Sequence, residues 1–279
     1  MYAPERQAAI ATRVGREARV SVAELAAEHG VTTETVRRDL AALERAGAVR
    51  RVHGGAVSAA SLALPETRVE ERDHVAGAAK DRIAAAALGQ LAPGTASLAL
   101  DAGTTTGRLA ALLATTPGAL APAGHGAALV VVTHAVPLAA RLVGVPGVEL
   151  QLVGGRVRTA TQAAVGVEAV RALGDLRVDV AVLGTNALSP DGLTTPDPEE
   201  AAVKRALVAC ARRVVVLADA GKAGREDLHR FARLEEVDVL VTDTHPADAR
   251  TASGRALAAA LAAADVDVVV APAAARAVA

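Results

Sequence analysis

The 279-residue sequence predicts an α/β protein in two parts, a small helical head and a larger, open, mostly parallel α/β domain. Three observations predict it. Two helix signatures separated by a tight turn stand near the start, followed by a short β-like run. Seven Val- and Leu-rich runs then recur, at 97–100, 129–132, 148–153, 178–183, 214–218, 237–241 and 266–270. They mostly lack polar alternation, as strands buried on both faces do, and helical stretches at 106–113, 136–143, 198–211 and 255–264 separate several of them. The length suits about two domains, with cores large enough to need no covalent staple.

In the head, residues 4–14 read as a helix with Ile10 and Val14 on one face and Gly15 as its stop. Arg19 and Val20 form a short extended link. Ser21-Val22-Ala23-Glu24 matches a capping box, in which the serine caps the helix start and the glutamate reaches back. That helix ends at Gly30. A second begins at Thr32 or Thr33 and closes at Gly47. Val49 to Val52 is β-like, and His53-Gly54-Gly55 is a turn, giving a winged helix-turn-helix over residues 1–57. Residues 58–71, starting small, polar and proline-containing, form the linker, and residues 72–279 the α/β domain. A helix at 72–88 opens that domain, with Val75, Ala79 and Ile83 on its packed face and Lys80 on its solvated one. The Ala-, Pro- and Gly-rich segment 115–126 reads as a loop.

The net charge of −1 hides an asymmetry. Residues 1–57 carry nine Arg against seven acidic residues, while 58–279 carry 21 basic against 24 acidic. A basic head on a mildly acidic body points to nucleic acid at one end. Tyr2 and Phe231 are the only aromatics besides histidine, which excludes single-strand binding by base stacking. The single Cys210 excludes an internal disulfide, fits a reducing compartment and reads as a small buried residue. No apolar run reaches the roughly 18 residues that span a bilayer, and no basic-then-apolar leader opens the chain, so a soluble cytoplasmic protein with no membrane partner is expected. The seven histidines show no metal-ligand spacing, and neither a metal nor another cofactor is expected. Lysine is scarce. Lys80, Lys204 and Lys222 are the only three, and Lys204 and Lys222 fall in motifs.

A helix-turn-helix reads double-stranded DNA with the first turns of its second helix. Thr33, Thr35, Arg37 and Arg38 occupy those turns, while Val36, Leu40 and Leu43 form the buried stripe. Arg37 and Arg38 point away from the stripe and reach guanine edges or phosphates. Arg50, Arg51 and His53 are assigned to the wing, in reach of backbone or minor groove.

In an open α/β sheet, ligands bind beyond the carboxyl ends of the strands. Those ends here carry Asp101, Gly103, Thr104 and Thr105; Thr133 and His134; Gly154 and Gly155; Gly184-Thr185-Asn186; Asp219 and Lys222; and Asp243. A glycine turn opening a helix with three threonines is an anion seat, made of free amides and hydroxyls. Glu200 and Lys204 lie four apart on one helix face, behind the start Asp197-Pro198. Their spacing alone fits an exposed ion pair as well as a functional one. The scarcity of lysine tilts the reading toward function.

The run from Ser21 to Leu40, with Arg37-Arg38-Asp39-Leu40, and the run from Leu43 to Ala56, with His53-Gly54-Gly55-Ala56, resemble the DeoR family of bacterial sugar-metabolism regulators. Downstream, Asp101-x-Gly103-Thr104-Thr105, Gly154-Gly155, Glu200-x-x-x-Lys204 and Asp219-x-x-Lys222-x-Gly224 are similar to the sensor domain of that family. The resemblance implies a fold like that of ribose-5-phosphate-type isomerases, with a small phosphorylated sugar as effector. It implies that Gly103, Thr104 and Thr105 hold the phosphate. Asp101, Glu200, Lys204, Asp219 and Lys222 then read sugar hydroxyls or complete the charge balance. It also implies a homodimer or homotetramer that represses a carbohydrate uptake or catabolic operon and is no enzyme. Two positions depart from the family pattern: His134 stands where asparagine is common, and Ala187 where glycine is. Two alternatives stay open, a sugar-phosphate isomerase-like enzyme with an accessory DNA-binding head and a DNA-binding protein that answers to no ligand.

Overall fold

The computed structural model describes residues 2–17, 19–52, 54–58, 69–92, 94–116, 128–248 and 251–273. The chain divides into two compact units, Met1–Pro65 and Glu66–Ala279. Most of the expected linker and of the loop at 115–126 lies outside the described residues.

The smaller unit runs α1 (Ala3–Glu17), β1 (Arg19–Ser21), α2 (Val22–His29), α3 (Thr33–Arg45), β2 (Val49–Val52) and β3 (Gly55–Ser58). The capping box forms as expected: the Ser21 hydroxyl accepts from the Glu24 amide at 3.1 Å, and the Glu24 carboxylate accepts from the Ser21 amide at 3.2 Å. Gly30 closes α2 at φ +62, a left-handed conformation that glycine adopts without strain. Gly15 does not stop α1. A lone glycine costs a helix about 1 kcal/mol against alanine, and the fully buried Ile10 and Val14 outweigh that. The wing has three strands, in the order β1-β3-β2, because Val20 pairs with Ala56 on the far side of β3.

The larger unit begins with α4 (Val69–His74) and α5 (Gly77–Leu88). The sequence predicts one helix here. The structure breaks it at Ala76, whose φ of +56 turns the chain, and leaves Val75 65% exposed. There follow β4 (Ser97–Leu100), α6 (Thr104–Thr115), β5 (Leu129–Thr133), α7 (Val136–Leu142), β6 (Val148–Leu152), β7 (Arg156–Arg158), β8 (Ala163–Val165) and α8 (Val167–Gly174). The chain continues through β9 (Val178–Gly184), β10 (Ala187–Ser189), β11 (Gly192–Thr195), α9 (Pro198–Cys210), β12 (Ala211–Leu217), β13 (His229–Ala232), β14 (Val239–Thr242), α10 (Ala252–Ala263) and β15 (Asp267–Val270).

Seven strands form one sheet, ordered β15-β14-β12-β9-β4-β5-β6, and every recorded pairing in it is parallel. Alternate residues feed two cores. Leu98, Leu100, Val180, Val182 and Val215 pack with Ile83, Leu109 and Leu138 of α5, α6 and α7. Ala99, Ala181, Leu183, Val214 and Val216 pack with Leu173, Leu207 and Leu257 of α8, α9 and α10. Burial on both faces is why these strands read as unbroken apolar runs. β7 and β8 form a separate hairpin, and β10, β11 and β13 a small second sheet. β4 and β9 are central neighbours. From β4 the chain winds through β5 to β6 at one edge, and from β9 through β12 and β14 to β15 at the other. Their carboxyl ends therefore flank the point where the winding reverses, and a crevice opens there.

Candidate functional site

α3 takes its cap from Thr32, whose hydroxyl accepts from the Thr35 amide at 3.2 Å and shares a 2.9 Å hydrogen bond with the Thr35 hydroxyl. Val36, Asp39, Leu40 and Leu43 are buried. Asp39 is held by Arg6 Nε at 2.5 Å and the Gln7 amide at 2.9 Å, both from α1. This clamp fixes the rotation of α3. Thr33, Arg37 and Arg38 are left facing solvent, the two arginine side chains 62% and 81% exposed. Both stand loosely by Glu34, at 3.7 and 3.6 Å, and such exposed contacts hold little energy. On the wing, Arg51 is exposed and donates from Nε to Glu44 at 2.7 Å. Arg50 is buried, which corrects its assignment as a DNA contact. Consecutive strand residues point to opposite faces, so the pleat splits a pair that looks like one basic surface in the sequence. His53 lies outside the described residues.

The crevice at the sheet's carboxyl edge is a cleft open to solvent. α6 starts on its floor. Gly103, at φ +150, makes the turn into the helix, and a side chain there would press on the Thr106 hydroxyl. The first-turn amides of α6 have no partner within the helix, so they and the positive helix end face the cleft beside Thr104 and Thr105. Three cationic side chains line the same end: Arg72 from α4, Lys80 from α5 and Lys222 from the short helical turn after β12. Burial lowers the Lys80 ammonium to about 8, with Lys222 and Arg108 reinforcing the effect and Asp219 opposing it. Burial also lowers Lys222, again against the pull of Asp219.

The other end is a polar network around Asp101, which is fully buried. Its carboxylate accepts from the Lys204 ammonium, from the Gly184 amide at 3.0 Å, and lies 3.1 Å from His134 Nε2. Burial pushes the Asp101 carboxyl up, but Lys204 and His134 outweigh it and hold the group below the usual carboxylate range. Lys204 also donates to the Gly184 carbonyl at 2.9 Å and stands 5.1 Å above the Phe231 ring. His134 Nδ1 lies 2.8 Å from the Ala164 carbonyl, and its Nε2, beside the Asp101 carboxylate, is 3.2 Å from the Ala102 amide nitrogen. Glu200 does not pair with Lys204. It accepts from Thr195 at 3.3 Å and lies 2.7 Å from Arg158 Nη1. One end of the cleft is thus cationic, with free helix amides, and the other is a network of polar side chains.

Known proteins match both units. Residues 6–61 match the DeoR-like helix-turn-helix domain, and residues 76–244 match the DeoR C-terminal sensor domain. The chain belongs to the DeoR family. A DNA-binding transcriptional regulator of this family carries its reading head in the smaller unit and its sensor in the larger. Among its relatives, the HTH-type transcriptional regulator GlpR of Haloferax volcanii is 36% identical, over 90% of this chain and 94% of that protein. A putative aga operon transcriptional repressor of Escherichia coli O157:H7 is 32% identical, over 88% of each. The HTH-type transcriptional repressor GlcR of Bacillus subtilis is 29% identical, over 88% of this chain and 90% of that protein. Among solved structures, ribose 5-phosphate isomerase A of Methanocaldococcus jannaschii aligns at 14% identity and a TM-score of 0.36, covering 51% of this chain and 52% of that one.

In this DeoR regulator, Asp101, Gly103, Thr104, Thr105, His134, Glu200, Lys204, Asp219 and Lys222 all line the cleft. Three expected ligand contacts do not. Thr133 is fully buried and spends its hydroxyl on the Leu100 carbonyl at 2.8 Å and the Ala135 amide at 3.2 Å. Gly154 and Gly155 turn the chain into the β7–β8 hairpin. Gly155, at φ +144, comes so near the Val165 carbonyl that a Cβ would stand 2.7 Å from it. Lys80 is the opposite correction. It is 4% exposed, lines the cleft and is no solvated residue. All three lysines of the chain therefore meet in one place. Arg72, Thr161 and Asn186 line the cleft as well. Arg72 and Thr161 have no local sequence signal, whereas Asn186 stands at a strand end. No group of three or more potential metal ligands occurs among the described residues, and no helix of theirs is long and apolar enough to cross a membrane.

Proposed function

We propose that this regulator represses a carbohydrate uptake or catabolic operon and leaves its operator when a small phosphorylated sugar fills the cleft. One observation carries the reading: a single cleft pairs a helix start and three cations with a network of hydroxyl-reading groups. A phosphate fits the first, since amides and buried cations together favour a dianion. A sugar fits the second. The relatives that match along nearly the whole chain carry the names of transcriptional regulators, which argues against the enzyme alternative. Exposed Val143, Leu152, Val157 and Val167 leave apolar surface that a homodimer or homotetramer would cover. Release then follows if the ligand binds more tightly to the arrangement that does not fit the operator.

The test is fluorescence anisotropy of labelled upstream DNA titrated with protein, with and without sugar phosphates and their unphosphorylated parents. Binding that only a phosphorylated sugar reverses is the expected result. Binding that no sugar phosphate alters removes the effector from the proposal. In the same titration, Arg37→Ala is expected to weaken operator binding by about 1–3 kcal/mol if the guanidinium reads a guanine. Unchanged affinity takes Arg37 out of the recognition set. Wild-type affinity is also expected to fall steeply with salt, through release of counterions at each phosphate contact. A flat response contradicts backbone contacts by the head.

A further inference from the structure

α4 is attached to its unit without an apolar anchor, since none of its residues is buried. Polar contacts hold it. The Val69 amide donates to the Ala160 carbonyl at 2.8 Å, and the Glu70 carboxylate accepts from the Gln162 amide. Arg108 holds the Asp73 carboxylate and, at 3.2 Å, the Asp73 carbonyl. Lys80 donates from its ammonium to the Arg72 carbonyl.

Most of these anchors border the cleft. Lys80 lines it, and so does Arg72. Ala160 and Gln162 flank Thr161, which lines it from the β7–β8 turn. Thr161 is 5% exposed, and its hydroxyl has no hydrogen-bond partner among the described residues. A buried hydroxyl without a partner is costly, and a polar ligand in the cleft supplies one. The turn is itself constrained, since Gln162 holds a φ of +55. In chain order, α4 directly follows residues 59–68, the segment that leads from the DNA-reading unit.

We propose that Thr161 is a further contact of the phosphorylated sugar, opposite Arg72 and Lys80, and that α4 is the strap through which a filled cleft is felt at the linker. This rests on the sugar-phosphate reading of the cleft. A ligand bridging the Thr161 turn and the Lys80 ammonium engages two of the groups that hold α4. With no apolar burial to keep it in place, α4 takes the position those groups set. The filled and empty cleft therefore present the linker with two different starts.

The experiment uses the full chain. Calorimetry with ribose 5-phosphate, fructose 1-phosphate and glucose 6-phosphate first finds a probe that binds the wild type. Thr161→Val is expected to weaken that probe about tenfold and Thr161→Ser to restore it, a loss near 1.4 kcal/mol. The double variant Glu70→Ala/Asp73→Ala changes no residue that lines the cleft. It is expected to bind the probe within about threefold of wild type but to need at least about tenfold more of it to leave operator DNA, the mark of lost coupling. Hydrogen exchange at the α4 amides is expected to change on adding the probe to wild type, and not in the double variant. Wild-type affinity in Thr161→Val, or unchanged α4 exchange together with normal release in the double variant, overturns this inference and leaves the sugar-phosphate reading standing. No binding by any probe overturns both.

Discussion

Asp101→Ala is expected to destabilise the sensor unit by about 3–5 kcal/mol, the usual cost of stranding one charge of a buried pair. The carboxylate is fully buried and the Lys204 side chain is 6% exposed. Removing Asp101 leaves the ammonium with the Gly184 carbonyl and the Phe231 ring, neither of which carries a charge. It also strips the Gly184 amide of its acceptor, which loosens the join between β4 and β9. The double variant Asp101→Ala/Lys204→Met is expected to recover much of the loss, because the stranded charge goes with its partner. Urea unfolding followed by far-ultraviolet circular dichroism measures it, since the chain has no Trp and its one Tyr lies in the head. A loss under about 1 kcal/mol, the range of exposed ion pairs, sinks the argument. The pH dependence has a definite sign. The Asp101 carboxyl is held lower in the folded state than its unfolded value of about 3.9. Its contribution is therefore present above that value and lost only as the pH falls through the lower, folded one.

Strands of the large sheet were legible for a physical reason. The inner strands are buried on both faces and so are apolar at nearly every position, while the edge strands β6 and β15 are partly exposed; each of the seven runs falls within about three residues of an observed strand at either end. The short strands were not. Ala163–Val165 and Ala187–Ser189 are three residues long and carry no period. The break at Ala76 was missed although Gly77 adjoins it, because the left-handed residue is the alanine and a lone glycine in a helical stretch is usually tolerated. The lining of the cleft was legible where chemistry sits at a strand end or helix start, as for Asp101, Thr104 and Lys222. It was not where a residue reaches in from elsewhere. Arg158 meets Glu200 across 42 positions of chain. Thr133 and the Gly154–Gly155 pair stand at the right strand ends, yet the backbone itself consumes them. Lys80 was readable. The buried positions of α5 are Lys80, Ile83, Ala84 and Ala87, spaced as one helix face is. A lysine on that face is either an error of stripe or a buried cation, and the stripe through Val75 was the wrong one.

That buried cation gives the second large effect. Lys80 is lowered from 10.5 to about 8, chiefly by burial, so the empty cleft disfavours its charge. For a base, the sign is that the penalty acts below about 8 and is relieved as the pH rises past it. A bound phosphate ester reverses the preference, because a dianion beside Lys80 favours the ammonium. Binding above pH 8 must then take up a proton, and affinity falls by up to about tenfold for each pH unit above that point. On the acid side, the ester loses its second charge near pH 6 and the affinity falls again. The expected profile is a plateau between about pH 6 and 8. Calorimetry of a sugar phosphate across pH 5–9.5, in buffers of different ionisation enthalpy, reads both the affinity and the protons exchanged. Lys80→Met is expected to cost about 2–5 kcal/mol of binding, as truncating one side of a buried charge pair does. It should also abolish the break at 8, leaving any residual alkaline slope to Lys222. Lys80→Met that binds within threefold of wild type, or keeps the break at 8, removes Lys80 from the phosphate seat and leaves the anion to Lys222, Arg72 and the start of α6.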